Sequence, residues 1–217
     1  MNKADIVEKT KAYVRETLEG EGSGHDWWHI YRVHANAVHI GEEEGADMFV
    51  VELAALLHDI ADYKFHGGDE EIGPRTAREW LEKAGADEET IAHVCQIIRD
   101  ISFKGAGVQT PMKTKEGMVV QDADRLEAIG AIGIARTFAY GGHKNREIYN
   151  PEVAAVEHAS SEEYKKNNSH TIAHFYEKLL LLKDRMNTAA AKKMAEGRHK
   201  FMEEYLDRFY KEWKGEA

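Results

Sequence analysis

The chain of 217 residues has one cysteine, Cys95, and only three prolines. A lone cysteine cannot close an internal disulfide, so nothing in the sequence calls for an oxidising compartment. Pro74, Pro111 and Pro151 stand outside the strongest helical patterns and leave them uninterrupted. Long hydrophobic runs are missing as well. The longest, residues 48–57, is interrupted by Glu52 and is too short to span a bilayer. The start, Met-Asn-Lys-Ala-Asp-Ile-Val-Glu-Lys, lacks the apolar stretch of a signal peptide, so the cytoplasm is the expected location. There is no positive excess either: 29 basic against 39 acidic residues leave a formal charge of −10. That balance argues against a general nucleic-acid-binding surface. A phosphorylated small substrate would need cations gathered locally. No strand-like alternation of any length, internal repeat or low-complexity tract is visible.

Helical periodicity fills the space these absences leave. Hydrophobic residues are 42% and charged residues 31%, a balance that can support a sizeable core. Residues 4–18 predict a first helix, ended by the break Gly20-Glu21-Gly22-Ser23-Gly24. A second helix starts near Asp26, read as its N-cap, and carries Ile30, Val33, Ala37 and Ile40 on one stripe to about Gly41–Gly45. Residues 47–61 predict a third helix, apolar on nearly every face and therefore buried. Two more follow at about 74–84 and 87–101, with Pro74 in a first turn and Gly85 just past an end. Residues 116–139 predict one further helix, whose Ala128, Gly130 and Gly133 would allow close packing. Residues 140–168 are polar and irregular, the best candidate for a mobile lid or insert. Two long helices are expected to close the chain, one over about 169–186 and one from Thr188, a suitable N-cap, to about Trp213. The expectation is one all-α, compact helical bundle forming a single domain over residues 1–217.

The informative residues are polar ones placed in apolar surroundings. His58 and Asp59 sit in Leu-Leu-His-Asp-Ile-Ala-Asp, directly after the most apolar run of the chain. Burying an imidazole beside a carboxylate is costly unless something compensates, and a divalent metal compensates both. His29, in Trp-Trp-His-Ile-Tyr-Arg-Val, and Asp124, in Val-Val-Gln-Asp-Ala-Asp-Arg-Leu, are two further candidate ligands. A mixed imidazole–carboxylate set suits Mn, Mg, Ni, Co, Fe or Zn rather than a thiolate-loving site. Four protein ligands would leave coordination positions open for water or substrate, as a catalytic metal site requires. Each residue alone has a plainer reading. His58 with Asp59 would suit a buried ion pair or helix-end cap, His29 a half-buried helix histidine, and Asp124 a partner for a nearby cation.

The ordered set His29, His58-Asp59, Asp124 resembles the metal-binding signature of the HD-domain phosphohydrolase superfamily. The similarity extends through 25–33, 56–65, Ile-Ser-Phe-Lys-Gly at 101–105, 121–130 and His-Phe-Tyr-Glu-Lys-Leu at 174–179. These blocks resemble a bacterial branch of compact single-domain proteins, some of which hydrolyse nucleoside triphosphates to monophosphate and pyrophosphate. The resemblance implies an HD-type bundle, a divalent metal and phosphoryl chemistry. Some superfamily sites recruit further histidines for a second metal. Here Asp100 precedes Ile101-Ser102, and His66 and His93 do not sit in the expected pattern, so one ion per chain is expected.

Hydrolysis at such a centre needs a base for the water proton and cations for the charge on phosphorus oxygens. Asp62 follows Asp59 by three residues, which on a helix puts both on one side. An acidic residue at this offset is proposed as the base in related single-metal members; an Asp closing the helix is the plainer alternative. His25 stands one helical turn before His29 and could orient a leaving phosphate, unless it is only an exposed residue of the preceding turn. Arg32, Lys64, Lys104 and Lys178 are candidate phosphate binders, with Lys178 one turn after His174; each could equally be a solvated or ion-paired surface group. Arg125 reads as structural. Trp27, Trp28, Phe103, Phe138 and Tyr140 could stack a base, but Trp28 and Phe138 read better as core. The expected function is metal-dependent hydrolysis of (deoxy)nucleoside triphosphates to monophosphate and pyrophosphate. The alternatives are a nucleoside monophosphate phosphatase and a non-catalytic metal- or nucleotide-binding sensor. The expected partner is a phosphorylated small molecule, a nucleotide by this reading, with no nucleic acid or membrane; the chain could also pair with a second copy of itself.

Overall fold

The computed structural model describes residues 2–20, 26–61, 69, 71–101, 110–154 and 169–217. Among the described residues there are helices, turns and bends and no strand, so the chain is all-α. The helices are α1 (Lys3–Leu18), α2 (Trp27–Glu44), α3 (Met48–Leu57), α4 (Ile72–Ala84), α5 (Glu88–Asp100), α6 (Lys115–Glu127), α7 (Gly130–His143), α8 (Ala173–Glu177) and α9 (Ala189–Trp213). Their ends follow local chemistry. Asp26, Asp47, Asp87 and Thr188 each accept a backbone N–H of the first turn they precede, and so satisfy a donor the helix itself cannot. Gly85 adopts the left-handed conformation that closes α4.

Two compact units result, and α6 runs from the first into the second between Asp124 and Arg125. In the first unit α3 packs against α1, α2 and α5, which explains why it is apolar all round. Val51, Leu53, Leu56 and Leu57 are fully buried. Each such side chain contributes about 1.5–3 kcal/mol of burial, so this helix is the unit's anchor. α4 pairs with α5 and rests on α1, where Trp80 stacks on Tyr13 at 3.9 Å and its indole N–H donates to buried Thr10 at 2.9 Å. The start of α6 is tied to the turn between α2 and α3. Lys115 Nζ donates to the Glu44 carbonyl at 2.8 Å, and Glu116 accepts the Asp47 N–H at 3.0 Å.

In the second unit α9 packs on α7. Here two expectations fail. The helix expected over 116–139 is two helices, because the chain breaks at Ala128 and Ile129. Ile129 is extended, and Gly130 takes φ +74°, a conformation a side chain disfavours. The Arg198 side chain covers Gly130, and its guanidinium donates at 2.5 Å to the Leu126 carbonyl, which also accepts the Ile129 N–H at 3.3 Å. The helix expected over about 169–186 is also interrupted. α8 ends at Glu177, Lys178 leaves helical geometry, and two 3₁₀ turns follow, Leu179–Leu181 and Lys183–Arg185. Bonds from residue i+3 back to i eclipse side chains three apart, and this buries Leu179 together with Leu182. Of the stretch 140–168, α7 extends to His143 and residues 155–168 lie outside the described residues.

Candidate metal centre

α2 and α3 form an antiparallel pair. Gly41 faces Met48 and Val51, His34 faces Glu52, and His29 faces Asp59, so numbers rise along one helix as they fall along the other. A Cβ on Gly41 would lie 2.9 Å from Met48 Sδ, so glycine permits the close approach at the closed end. The open end carries the candidate ligands. His29 lies in the first turn of α2, where the Asp26 carboxylate accepts its backbone N–H at 2.8 Å. His58 terminates α3 in helical conformation and Asp59 follows in the turn.

The geometry converges. His29 Nε2 lies 3.3 Å from Asp59 Oδ2, and His58 Nε2 lies 3.5 Å from the same oxygen. Asp124 Oδ1, from α6, lies 3.8 Å from His29 Nε2 and 3.9 Å from His58 Nε2. The two imidazoles are buried and the two carboxylates half-buried. At metal–ligand distances of about 2.1 Å, neighbouring ligand atoms stand about 3.0–3.4 Å apart, close to what is seen here. His29, His58 and Asp59 could hold a metal ion as they stand.

Hydrogen bonding fits that reading. His58 Nδ1 is 2.8 Å from the Ala55 carbonyl, which can only accept, so Nδ1 carries the hydrogen. Nε2 then presents a lone pair, is buried, and has no hydrogen-bond partner. A buried lone pair aimed at carboxylate oxygens is costly unless a cation stands between them. An imidazole fixed through its far nitrogen is also the usual posture of a metal-binding histidine.

Other expected site residues are placed differently. Arg32 lies on α2 one turn after His29 and is half-buried. Asp62, His25, Lys64 and Lys104 fall outside the described residues. Of the elements beside them, α3 ends at Leu57 and α2 begins after its cap Asp26. Trp28 is not core: it is 56% exposed and meets Tyr31 edge-on. Phe138 is half-buried between Phe175 and Tyr205. Arg125 is structural as expected, buried and donating to the Arg185 carbonyl.

In the second unit the Lys178 N–H donates to the His174 carbonyl at 3.1 Å, so Lys178 does follow His174 by one turn. Burial pushes the His174 imidazole down to about 3, with the charges of Lys178 and Arg146 adding to it. Arg146 is a neighbour the sequence did not announce. Backbone bonds from Thr171 to Glu147 and from Ile172 to Ile148 bring its segment alongside. Also unannounced is Gln121 on α6, fully buried, whose amide donates to the Thr110 carbonyl at 3.0 Å. Its place among Val119, Val120 and Ala123 was the available signal for a polar group that must find its partners inside.

Comparison with known proteins agrees with the geometry. Residues 27–129 match the HD domain. Bacillus subtilis YpgQ is 39% identical over 99% of this chain and 97% of its own. Its structure in complex with ADP superposes with a TM-score of 0.75 at 36% identity, covering 97% of this chain and 100% of that one. A Bacillus thuringiensis HD-superfamily hydrolase is 46% identical with a TM-score of 0.77, covering 98% and 99% of the two chains. A Lactobacillus plantarum protein is 34% identical with a TM-score of 0.85, covering 99% and 100%. The matched domain contains His29, His58, Asp59 and Asp124, the likeness to relatives runs the length of the chain, and the chain belongs to the HD-domain family.

Proposed function

We propose that the protein is a metal-dependent phosphohydrolase that cleaves (deoxy)nucleoside triphosphates between the α and β phosphates. The observation that carries this reading is the meeting of two imidazoles and two carboxylates, with a buried His58 lone pair left for a cation. The HD-superfamily hydrolase from Bacillus thuringiensis supports a hydrolase, and the ADP complex of YpgQ supports a nucleotide ligand.

His29, His58, Asp59 and Asp124 would hold one divalent ion. When bound, it would polarise a phosphoryl oxygen and make a water acidic enough to attack. The chain supplies the rest. Asp62 takes the proton as the water oxygen bonds to the α phosphorus. The bond from that phosphorus to the α–β bridging oxygen breaks, and pyrophosphate leaves. Lys64 and Lys104 bind the β and γ phosphates, Arg32 adds positive charge beside His29, and His25 orients the leaving group. Half-burial of the carboxylates keeps the centre open to substrate while limiting water, which strengthens each of these electrostatic contacts.

The test is a panel of nucleoside tri-, di- and monophosphates with Mn, Mg, Ni or Co, reading pyrophosphate against orthophosphate. Monophosphate and pyrophosphate in equal amounts are expected from triphosphates. Orthophosphate from monophosphates would replace this reading with a phosphomonoesterase, and ligand-induced stabilisation without turnover would replace it with a sensor.

A further inference from the structure

Glu52 is the only charge within the apolar run 48–57, and the proposed chemistry gives it no task. It lies in α3 with its carboxylate 3.1 Å from His34 Nε2 on α2. Both side chains are largely shielded, at 13% and 28% exposure. The pair therefore bridges the same seam that carries the candidate ligands at its open end. His34 is five residues beyond His29, about 7.5 Å along the helix axis. Glu52 is six residues before His58. At the closed end of the seam the contact is apolar, Gly41 against Met48 and Val51. Along the seam an apolar contact, a polar rung, and the convergence of His29 with His58 and Asp59 therefore follow in that order.

Stability does not explain the rung. Taking a carboxylate and an imidazole partly out of water offsets most of what their attraction contributes, and an apolar pair of similar size is often as stable or more so. What an apolar seam lacks is register. Its ridges and grooves repeat every three or four residues, so it tolerates small slips and rotations. A directional hydrogen bond at one level does not. Ligand atoms sharing an ion must be held within a few tenths of an ångström, and helices that slide past each other cannot do that.

We propose that His34 and Glu52 are positioning residues for the metal centre: their hydrogen bond sets the register of α2 against α3 at which His29 meets His58 and Asp59. This rests on the metal reading given under Proposed function. It predicts that the rung matters for metal affinity and ligand geometry and not for folding.

The experiment compares wild type, the double variant His34→Leu with Glu52→Leu, and the single variants His34→Gln and Glu52→Met. Cobalt(II) is titrated into metal-free protein, with affinity read by calorimetry and ligand geometry by the visible absorption of the bound ion. Thermal unfolding of the metal-free proteins is measured alongside. The double variant is expected to unfold at or above the wild-type temperature, to bind cobalt about tenfold more weakly, and to show an altered absorption band. His34→Gln, whose amide can still donate to Glu52, is expected to stay within about twofold of wild type. Wild-type affinity and spectrum in the double variant would overturn the proposal, as would a His34→Gln protein as impaired as the double variant. Should the double variant fail to fold, Glu52→Met decides, since it keeps the length of the side chain and removes the hydrogen-bonding carboxylate. Weakened cobalt binding then supports the rung, and unchanged binding overturns it. A wild-type protein that takes up no cobalt overturns the metal centre itself, and the positioning role with it.

Discussion

His58 donates its Nδ1 hydrogen to the Ala55 carbonyl, 2.8 Å away in the last turn of the same helix. One bond does two things. It satisfies a carbonyl that the helix end would leave open, and it points the other ring nitrogen at Asp59 and Asp124. His58→Ala should therefore lose the ion. Elemental analysis of wild type is expected to find about one divalent ion per chain, and of His58→Ala or Asp59→Ala a small fraction of that. Chelation should lower the wild-type unfolding temperature and leave these variants unmoved, because only a folded chain presents the assembled ligands.

Asp62→Asn separates binding from chemistry. The amide cannot take a proton from water, and nothing in the proposed reading makes Asp62 a ligand. The variant should retain its metal while kcat falls by about 10²–10⁴-fold, the span typical of a lost general base. Steady-state kinetics with parallel metal analysis checks this, and unchanged turnover would remove Asp62 from the mechanism.

Asp26 caps α2 through the N–H of His29 itself. Asp26→Ala should cost about 1 kcal/mol in denaturant unfolding, the usual loss for a removed N-cap. Asp26→Ser, which can still accept that hydrogen, should recover most of it.

Gly130→Ala should be among the more damaging small substitutions. The added Cβ must sit at φ +74° and 3.0 Å from Arg198 Cβ. The left-handed conformation alone costs about 1–2 kcal/mol. Thermal unfolding should show the loss, and Gly142→Ala, where an added Cβ meets nothing within 4 Å, is the matched control.

The His174 imidazole is held to about 3 by burial and by Lys178 and Arg146. A free histidine titrates near 6.5. Between those values the unfolded chain binds a proton that the folded chain refuses, so stability must fall as pH drops from about 6.5 towards about 3. His174→Gln removes that linkage. Its unfolding free energy should depend less steeply on pH across this window than that of wild type, while above pH 7 the group contributes no slope in either protein.

Much of the fold could be read directly because its determinants are local. Asp26 and Thr188 cap α2 and α9 through their own side chains, and the apolar surface of residues 48–57 needed no partner to be recognised as buried. The convergence of the candidate ligands His29, His58 and Asp59 was signalled by imidazoles and a carboxylate in apolar segments, where such groups have few other uses. The failures are places where a signal had two meanings. Gly130 and the other small residues near it were consistent with tight packing inside one helix; Gly130 instead supplies the conformation that ends it. The leucines at 179–182 suit an α-helix and a 3₁₀ turn almost equally, and the difference lies in hydrogen bonds the residue types do not encode. Trp28 is large and apolar, yet it projects from the outward side of α2, which depends on which stripe the rest of the chain covers. The partnership of His34 with Glu52 needed the antiparallel register of two helices before it could be seen.

α3 stops at Leu57, just where the candidate ligands gather. A helix terminus of this kind bears about half a negative elementary charge, summed from its aligned peptide dipoles. The greasiest segment of the chain therefore has a second effect besides filling the interior: its backbone draws positive charge towards His58 and Asp59. Lengthening that helix by a single turn would move this attraction past the imidazole and weaken the hold on a cation without changing any ligand.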